Sequence, residues 1–215
     1  MLIGSSNADI IKAILEYHDV IRKSPMQIET TKKLFTVDEY YRMAEAGIFT
    51  PDHRVELIDG EIIEMSPIGA RHLGCVNRAT EAFTAEFRGR AVVSVQNPLQ
   101  LTNYTEPAPD VVVLKPRADF YGAKKPVAED AFLVLEVADT TLRYDLNVKL
   151  PRYASAGIPE VWIENLVEDL LLIYRDPEGD AYRTALALRN GDSISPLAFP
   201  DVVFNVAQLL GGSEL

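Results

Sequence analysis

Apolar residues recur at helical spacing through residues 8–23, at Ile10, Ile11, Ile14, Leu15 and Ile21, which predicts an amphipathic helix. The next stretch, "SPMQIETTKK", has no such period and reads as a linker. Thr36 and Glu39 stand at capping-box spacing, so a second helix is expected to start there and to close near Gly47. The period then changes to two. "HRVELIDGEIIEM" alternates on both sides of Asp59-Gly60, a dipeptide suited to a tight hairpin turn. Residues 72–88 return to helical spacing, and aliphatic runs near 91–96, 110–114 and 131–137 predict strands.

Residues 142–156 carry the stripe Leu146, Leu150, Tyr153 and Ala154, and Gly157 supplies a stop. Pro151 within that stretch is expected to kink or split the helix. "PEVWIEN" and "LLLIYR" read as strands, "DPEGD" as a turn into another near 181–188, and "FNVAQLL" as a last short helix. The whole pattern is that of an α/β or α+β fold, helices around a mixed sheet.

Composition narrows the class. One cysteine, Cys75, cannot form an intramolecular disulfide, and Asp9 and Lys12 interrupt the apolar stretch that a signal peptide needs. Aliphatic runs such as "LLLIY" are too short to cross a bilayer. The expectation is a soluble, cytoplasmic protein with no membrane partner. The net charge of −11 argues against a general nucleic-acid coat protein, but it is unevenly spread. Residues 66–157 hold 11 basic and 10 acidic residues, whereas 158–215 hold 3 and 10. Within the central part, "KPRADFYGAKK" sets Lys115, Arg117, Lys124 and Lys125 against Asp119 alone.

Two carboxylates in that central part need explaining. Asp110 opens the strand "DVVVL" and Glu136 lies in the middle of "FLVLEVAD", both runs built for a core. A buried charge survives by pairing or by holding a metal. Lys149, on the helix after Glu136, falls about 60° from Leu146 at ~100° per residue, so it borders the apolar stripe. Carboxylates from neighbouring strands plus a nearby cation are what metal-assisted phosphodiester hydrolysis requires. Taken singly, plainer readings hold: Asp110 as a turn residue, Glu136 facing solvent on an edge strand, and Asp145–Lys149 as an i, i+4 ion pair on a helix surface.

The order "PD", "LEV" and a displaced lysine resembles the PD-(D/E)XK nuclease superfamily. More narrowly, "RVELIDGEIIEMSP", "APDVVVL", "FLVLEVADTTLRYDLNVKLPRYASAGIPEVWIEN" and "LLIYRDPEGDAY" resemble the Uma-two (Uma2) family of restriction-endonuclease-like proteins over residues 36–210. The resemblance implies a restriction-endonuclease-like core behind a helical N-terminal extension, residues 1–35. It implies Asp110, Glu136 and the main-chain carbonyl of Val137 as ligands of Mg²⁺, with Mn²⁺ as an alternative. Ala138 stands where the superfamily's lysine would be, and Lys149 fills that role instead. Glu56 would support a second metal or orient a water, and His72 would contact phosphate, as the basic loop with Lys115, Lys124 and Lys125 could.

The implied function is metal-dependent hydrolysis of DNA, with DNA as partner and a homodimer allowed. Two alternatives stay open: a degenerate nuclease fold that binds nucleic acid or protein without cutting, and a phosphodiesterase with another substrate. Glu56 could equally be a polar position of an alternating strand, and His72 the start of a helix. His18 and His53 read as surface residues, Trp162 as core, and Cys75 as a small buried residue. The sequence holds no phosphate-cradling Gly-rich loop, no G-x-S-x-G elbow and no zinc spacing.

Overall fold

The computed structural model describes residues 11–17, 19, 31–50 and 53–211, and the chain divides into two units, Met1–Lys33 and Leu34–Leu215. In the first, residues 11–17 are helical, as the apolar spacing implies. The ends of that expected helix, His18 and most of the linker lie outside the described residues.

The second unit begins with a cap. Thr36 Oγ1 accepts from the Glu39 N–H at 3.2 Å and Glu39 Oε2 accepts from the Thr36 N–H at 2.9 Å, which starts helix α1 (Val37–Glu45). Strands β1 (Val55–Ile58) and β2 (Glu61–Glu64) follow as a hairpin. Asp59 and Gly60 turn it with φ of 51° and 77°, both left-handed as a two-residue type I′ turn demands. Gly60 is needed for space as well: a Cβ there would fall 2.6 Å from Leu34 Cβ.

Helix α2 (Ala70–Glu86) leads into a six-stranded sheet of β3 (Val92–Val95), β4 (Val111–Leu114), β5 (Ala131–Ala138), β6 (Glu160–Asn165), β7 (Leu170–Glu178) and β8 (Ala181–Leu188), ordered as numbered. β5 and β6 pair in parallel and the other neighbours antiparallel, so the sheet is mixed. The parallel step needs a crossover, supplied by a helical segment, α3. It comprises Leu142–Tyr144, a π-helical turn Asp145–Lys149, and Leu150–Ser155. Strands β9 (Ser193–Ile194) and β10 (Phe204–Asn205) form a small separate pair before helix α4 (Val206–Leu210).

Alternation along the strands sends side chains into two cores. Val111, Val113, Leu133, Leu135 and Trp162 pack with α2 and α4, where Phe83, Phe87 and Phe204 stack edge-on. Val112, Leu114, Val134, Val161 and Ile163 pack on the other face with Tyr153 of α3. By this parity Glu136 faces the α3 side and Glu164 the α2 side. Cys75 and Trp162 are buried and His53 exposed, as expected.

One expectation is met and one needs correction. Pro151 interrupts its helix, which changes from α to a π turn just before it. It has no N–H to give and its ring would crowd the carbonyl four residues back, and a widened turn relieves both. The Leu150 N–H bonds back to the Asp145 carbonyl, and Pro151 then sits in the first turn of the next segment, where no donor is required. "DPEGD" is shorter as a turn than expected: β7 continues through Pro177↔Tyr182 to Glu178, leaving Gly179 and Asp180 to reverse the chain. Among the described residues no helix is long and apolar enough to cross a membrane.

Candidate active site

Asp110 precedes β4 at the end where antiparallel β5 finishes, so it lies beside Glu136 and Val137. Asp110 Oδ2 accepts from the Val137 N–H at 2.9 Å, and the Asp110 N–H points to Glu136 Oε2 at 3.4 Å. Lys149 lies across the sheet face from Glu136. Asp145 and Lys149 both belong to the π turn and both are buried, Lys149 being 6% exposed. Its Nζ stands 3.2 Å from Glu136 Oε1 and 3.2 Å from Glu56 Oε2. The surface ion pair with Asp145 is therefore not formed, and Thr141 donates to Asp145 instead at 2.7 Å.

Glu56 reaches this point from β1 and is 2% exposed, far from the solvent position its alternating strand allows. Its Oε2 accepts from the Ala108 N–H at 3.2 Å and its Oε1 from Tyr144 at 3.2 Å. His72, in the first turn of α2, places Nε2 2.9 Å from Asp110 Oδ1, which Gln96 Nε2 also approaches at 3.1 Å. Gln96 adopts a left-handed φ of 52°, which only surrounding constraints hold in a residue with a side chain. Asp110, Glu136, Val137, Lys149, Glu56 and His72 all line one cavity of about 540 Å³.

Each charge answers to its surroundings. Burial works against Lys149, but Glu136, Glu56 and further acids outweigh it and hold the ammonium charged well beyond its ordinary range. Burial pushes Glu136 up to about 8, against the pull of Lys149 and the 2.5 Å bond from Tyr153. Asp110 is also buried, yet the bonds from His72, Val137 and Gln96 prevail and keep its carboxyl below the usual carboxylate range. Burial opposes the charged form of His72, and Asp110 more than restores it, so His72 is raised.

The donor set suits a hard divalent cation. Glu136 Oε2 has a long contact with the Asp110 N–H while Oε1 serves Lys149 and Tyr153. The Val137 N–H faces Asp110, and strand geometry sends its carbonyl to the same edge. The neighbouring Ala138 carbonyl accepts from Leu166 on the opposite side. Two carboxylates and a carbonyl are the oxygen ligands that Mg²⁺ and Mn²⁺ prefer. Among the described residues no three His, Cys, Asp or Glu side chains form a metal-holding group.

The basic loop does not join this cavity. Lys115, which follows the far end of β4 from Asp110, and Lys124 and Lys125 are exposed, and none of them lines the cavity. Arg117 bonds Asp119 and the Lys124 carbonyl within the loop, and Lys125 Nζ lies 3.0 Å from the Tyr41 ring centre and 3.8 Å from Glu106. The cavity instead holds Arg54 and Tyr144, which the sequence did not single out, and Asp145, which it offered only as a surface partner of Lys149, while Gln96 and Tyr153 brace its acids. Tyr153 had a signal, since it sits on the α3 stripe one turn from Lys149, but an aromatic there reads as core. Arg54 and Gln96 had none.

Comparison with known proteins bears on the fold and the family. A crystal structure of a protein from Anabaena variabilis, titled a "putative nuclease", superposes with a TM-score of 0.64 at 15% identity. The match covers 82% of this chain and 97% of that one, and at this identity it speaks for a shared nuclease-like fold. No curated protein matches the chain. The model of the Uma2 family, described as "Putative restriction endonuclease", matches residues 37–207, which include every residue of the cavity, and the chain belongs to that family.

Proposed function

We propose that this protein is a divalent-metal-dependent nuclease that hydrolyses phosphodiester bonds of DNA in the Asp110–Glu136–Lys149 cavity. The observation that carries the reading is a buried lysine ammonium clamped by Glu136 and Glu56 beside a third acid, Asp110. A soluble fold gains little from burying such a group, so its retention points to chemistry.

Asp110, Glu136 and the Val137 carbonyl would hold Mg²⁺ or Mn²⁺, which when bound supplies positive charge to the scissile phosphate and acidifies a water. Lys149 offsets the charge that builds on the phosphate oxygens and donates to the attacking water. Glu56, braced by Tyr144 and the Ala108 N–H, holds Lys149 in line. His72 and Gln96 fix the Asp110 carboxylate, so His72 acts through Asp110 and orients it. Arg54 and the N-terminus of α2 at Gly69 face the cavity and suit a phosphate dianion or diester.

The test is a panel of plasmid DNA, RNA and bis(p-nitrophenyl) phosphate, each with Mg²⁺ and with EDTA. DNA breakdown that EDTA stops is the expected result. Hydrolysis of the small diester or RNA alone would overturn the DNA assignment, and hydrolysis of none would leave a non-cutting binder.

A further inference from the structure

Beside the catalytic cavity lies a second one of about 490 Å³, and Arg54, Met65 and Ala108 line both. Gln96 stands in its wall as well, with its amide on Asp110. The second cavity is lined by half-buried aromatics: Tyr40, whose ring meets Tyr41 at 5.3 Å and Phe49 at 5.5 Å. At its base sits Glu106, 2% exposed. Tyr41 donates to Glu106 Oε1, and Lys125 approaches the same oxygen at 3.8 Å. Glu106 Oε2 has no hydrogen-bond partner.

A buried carboxylate oxygen without a donor is costly, and none of the catalytic steps uses this one. Its volume falls in the range that takes small ligands, and its parts form a set. Aromatic faces bind flat rings, and an acceptor beside them favours a ring whose exocyclic group at that place is an N–H donor. Arg54 stands between this set and the phosphate-facing wall. Adenine and cytosine present an exocyclic amine that a carboxylate accepts, whereas thymine presents a carbonyl at the corresponding place. Bases read this way are unpaired and stacked on aromatic side chains.

We propose that the Glu106 cavity is a base-recognition pocket, which receives an unpaired amine-bearing nucleobase next to the phosphate held in the catalytic cavity. The proposal rests on the nucleic-acid reading above but not on cutting. Tyr41 and Lys125 hold Oε1 as an acceptor, and Oε2, closed to solvent in this structure, meets the base once the Glu106 side chain turns toward the cavity. In Glu106→Gln the same two groups retain the side-chain carbonyl, so the amide nitrogen takes the Oε2 position and donates where the carboxylate accepted. That swap disfavours an amine and favours a thymine carbonyl.

The experiment is fluorescence anisotropy of labelled oligo-dC and oligo-dT with the full chain at low salt, in Ca²⁺ to suppress cutting. Wild type is expected to bind oligo-dC roughly 5-fold or more tightly than oligo-dT, the lower end of one specific base contact. Glu106→Gln, checked for an intact melting transition, is expected to erase or reverse that ratio. Phe49→Ala is expected to weaken both oligonucleotides and leave the ratio standing. Equal binding of the two by wild type, no binding of either, or an unchanged ratio in folded Glu106→Gln would each overturn the pocket. The wild-type comparison decides the matter even if the variant does not fold. A protein that prefers oligo-dC and never cuts would refute the nuclease reading alone, and one that cuts without preference would refute the pocket alone.

Discussion

Replacing Lys149 with methionine removes a charge and keeps much of the side-chain volume. On a helix surface the loss would be a few tenths of a kcal/mol. Here the ammonium is 6% exposed and lies 3.2 Å from each of two buried carboxylates, so its removal leaves both uncompensated. Breaking a buried pair in this way costs about 3–5 kcal/mol. Tyr153, Tyr144 and the Ala108 N–H remain as donors and keep the loss from doubling. For a domain of this size the melting midpoint should fall by roughly 6–20 °C above pH 8, where Glu136 is ionised in the wild type.

The loss must also depend on pH. The Glu136 carboxyl is raised to about 8 in the folded protein and is raised further without Lys149, so it takes up a proton and relieves the repulsion as pH falls. The difference between wild type and variant should therefore be largest above pH 8 and shrink toward pH 5. Lys149 itself is raised above the ordinary lysine range, so its contribution persists through neutral pH and disappears only in strong alkali. Urea unfolding of both proteins from pH 5 to 9 measures this, and Lys149→Met/Glu136→Gln should recover part of the loss. A cost under about 1 kcal/mol with no pH trend would refute the clamp.

Three further outcomes follow from the same structure. Mg²⁺ or Mn²⁺ at a hundred times its Kd should stabilise wild type by about 2.7 kcal/mol, and Asp110→Asn and Glu136→Gln should lose that shift in the melting curve; a response like wild type in both would displace the site. Glu164 is fully buried, and burial pushes its carboxyl up to about 8 against the pull of Cys75 and Arg78. Its raised folded pKa makes wild-type stability fall as pH rises from its ordinary value toward 8, so Glu164→Met should be level with wild type at pH 4 and up to about 3 kcal/mol more stable at pH 7, by urea unfolding; a pH-independent difference would contradict this. Arg54→Ala should weaken DNA binding in Ca²⁺ and flatten the log–log salt slope by about 1 unit, and an unchanged slope would remove Arg54 from the phosphate contacts.

The local signals in the sequence were strong where one residue type answers one backbone demand. Thr36 with Glu39 placed a helix start, and Asp59-Gly60 placed the hairpin, because few residues satisfy those geometries. Asp110 and Glu136 stood out because a charge in an aliphatic run conflicts with its neighbours. Lys149 was legible only in part. An ideal α-helix leaves it at the edge of the stripe, and it is buried in a π turn beside Pro151 that the sequence does not announce.

The bracing residues were illegible for a different reason. Gln96, Arg54 and Glu106 come to the two cavities through loops and non-local packing, and no short-range pattern records which side of a sheet a loop residue will meet. The basic loop shows the converse. Its charges follow the strand that Asp110 opens, but four residues of strand carry the chain to the other edge of the sheet.

The central claim is that Asp110 and Glu136 hold the cation that makes this protein cut DNA. The most direct measurement is the rate of plasmid cleavage by purified wild type, Asp110→Asn and Glu136→Gln in Mg²⁺, each confirmed as folded by its melting transition. Wild type is expected to cleave and to stop with EDTA, with losses of roughly 10²-fold or more in both variants. Cleavage by either variant at the wild-type rate would contradict it, as would a wild type that leaves DNA intact in the presence of the metal.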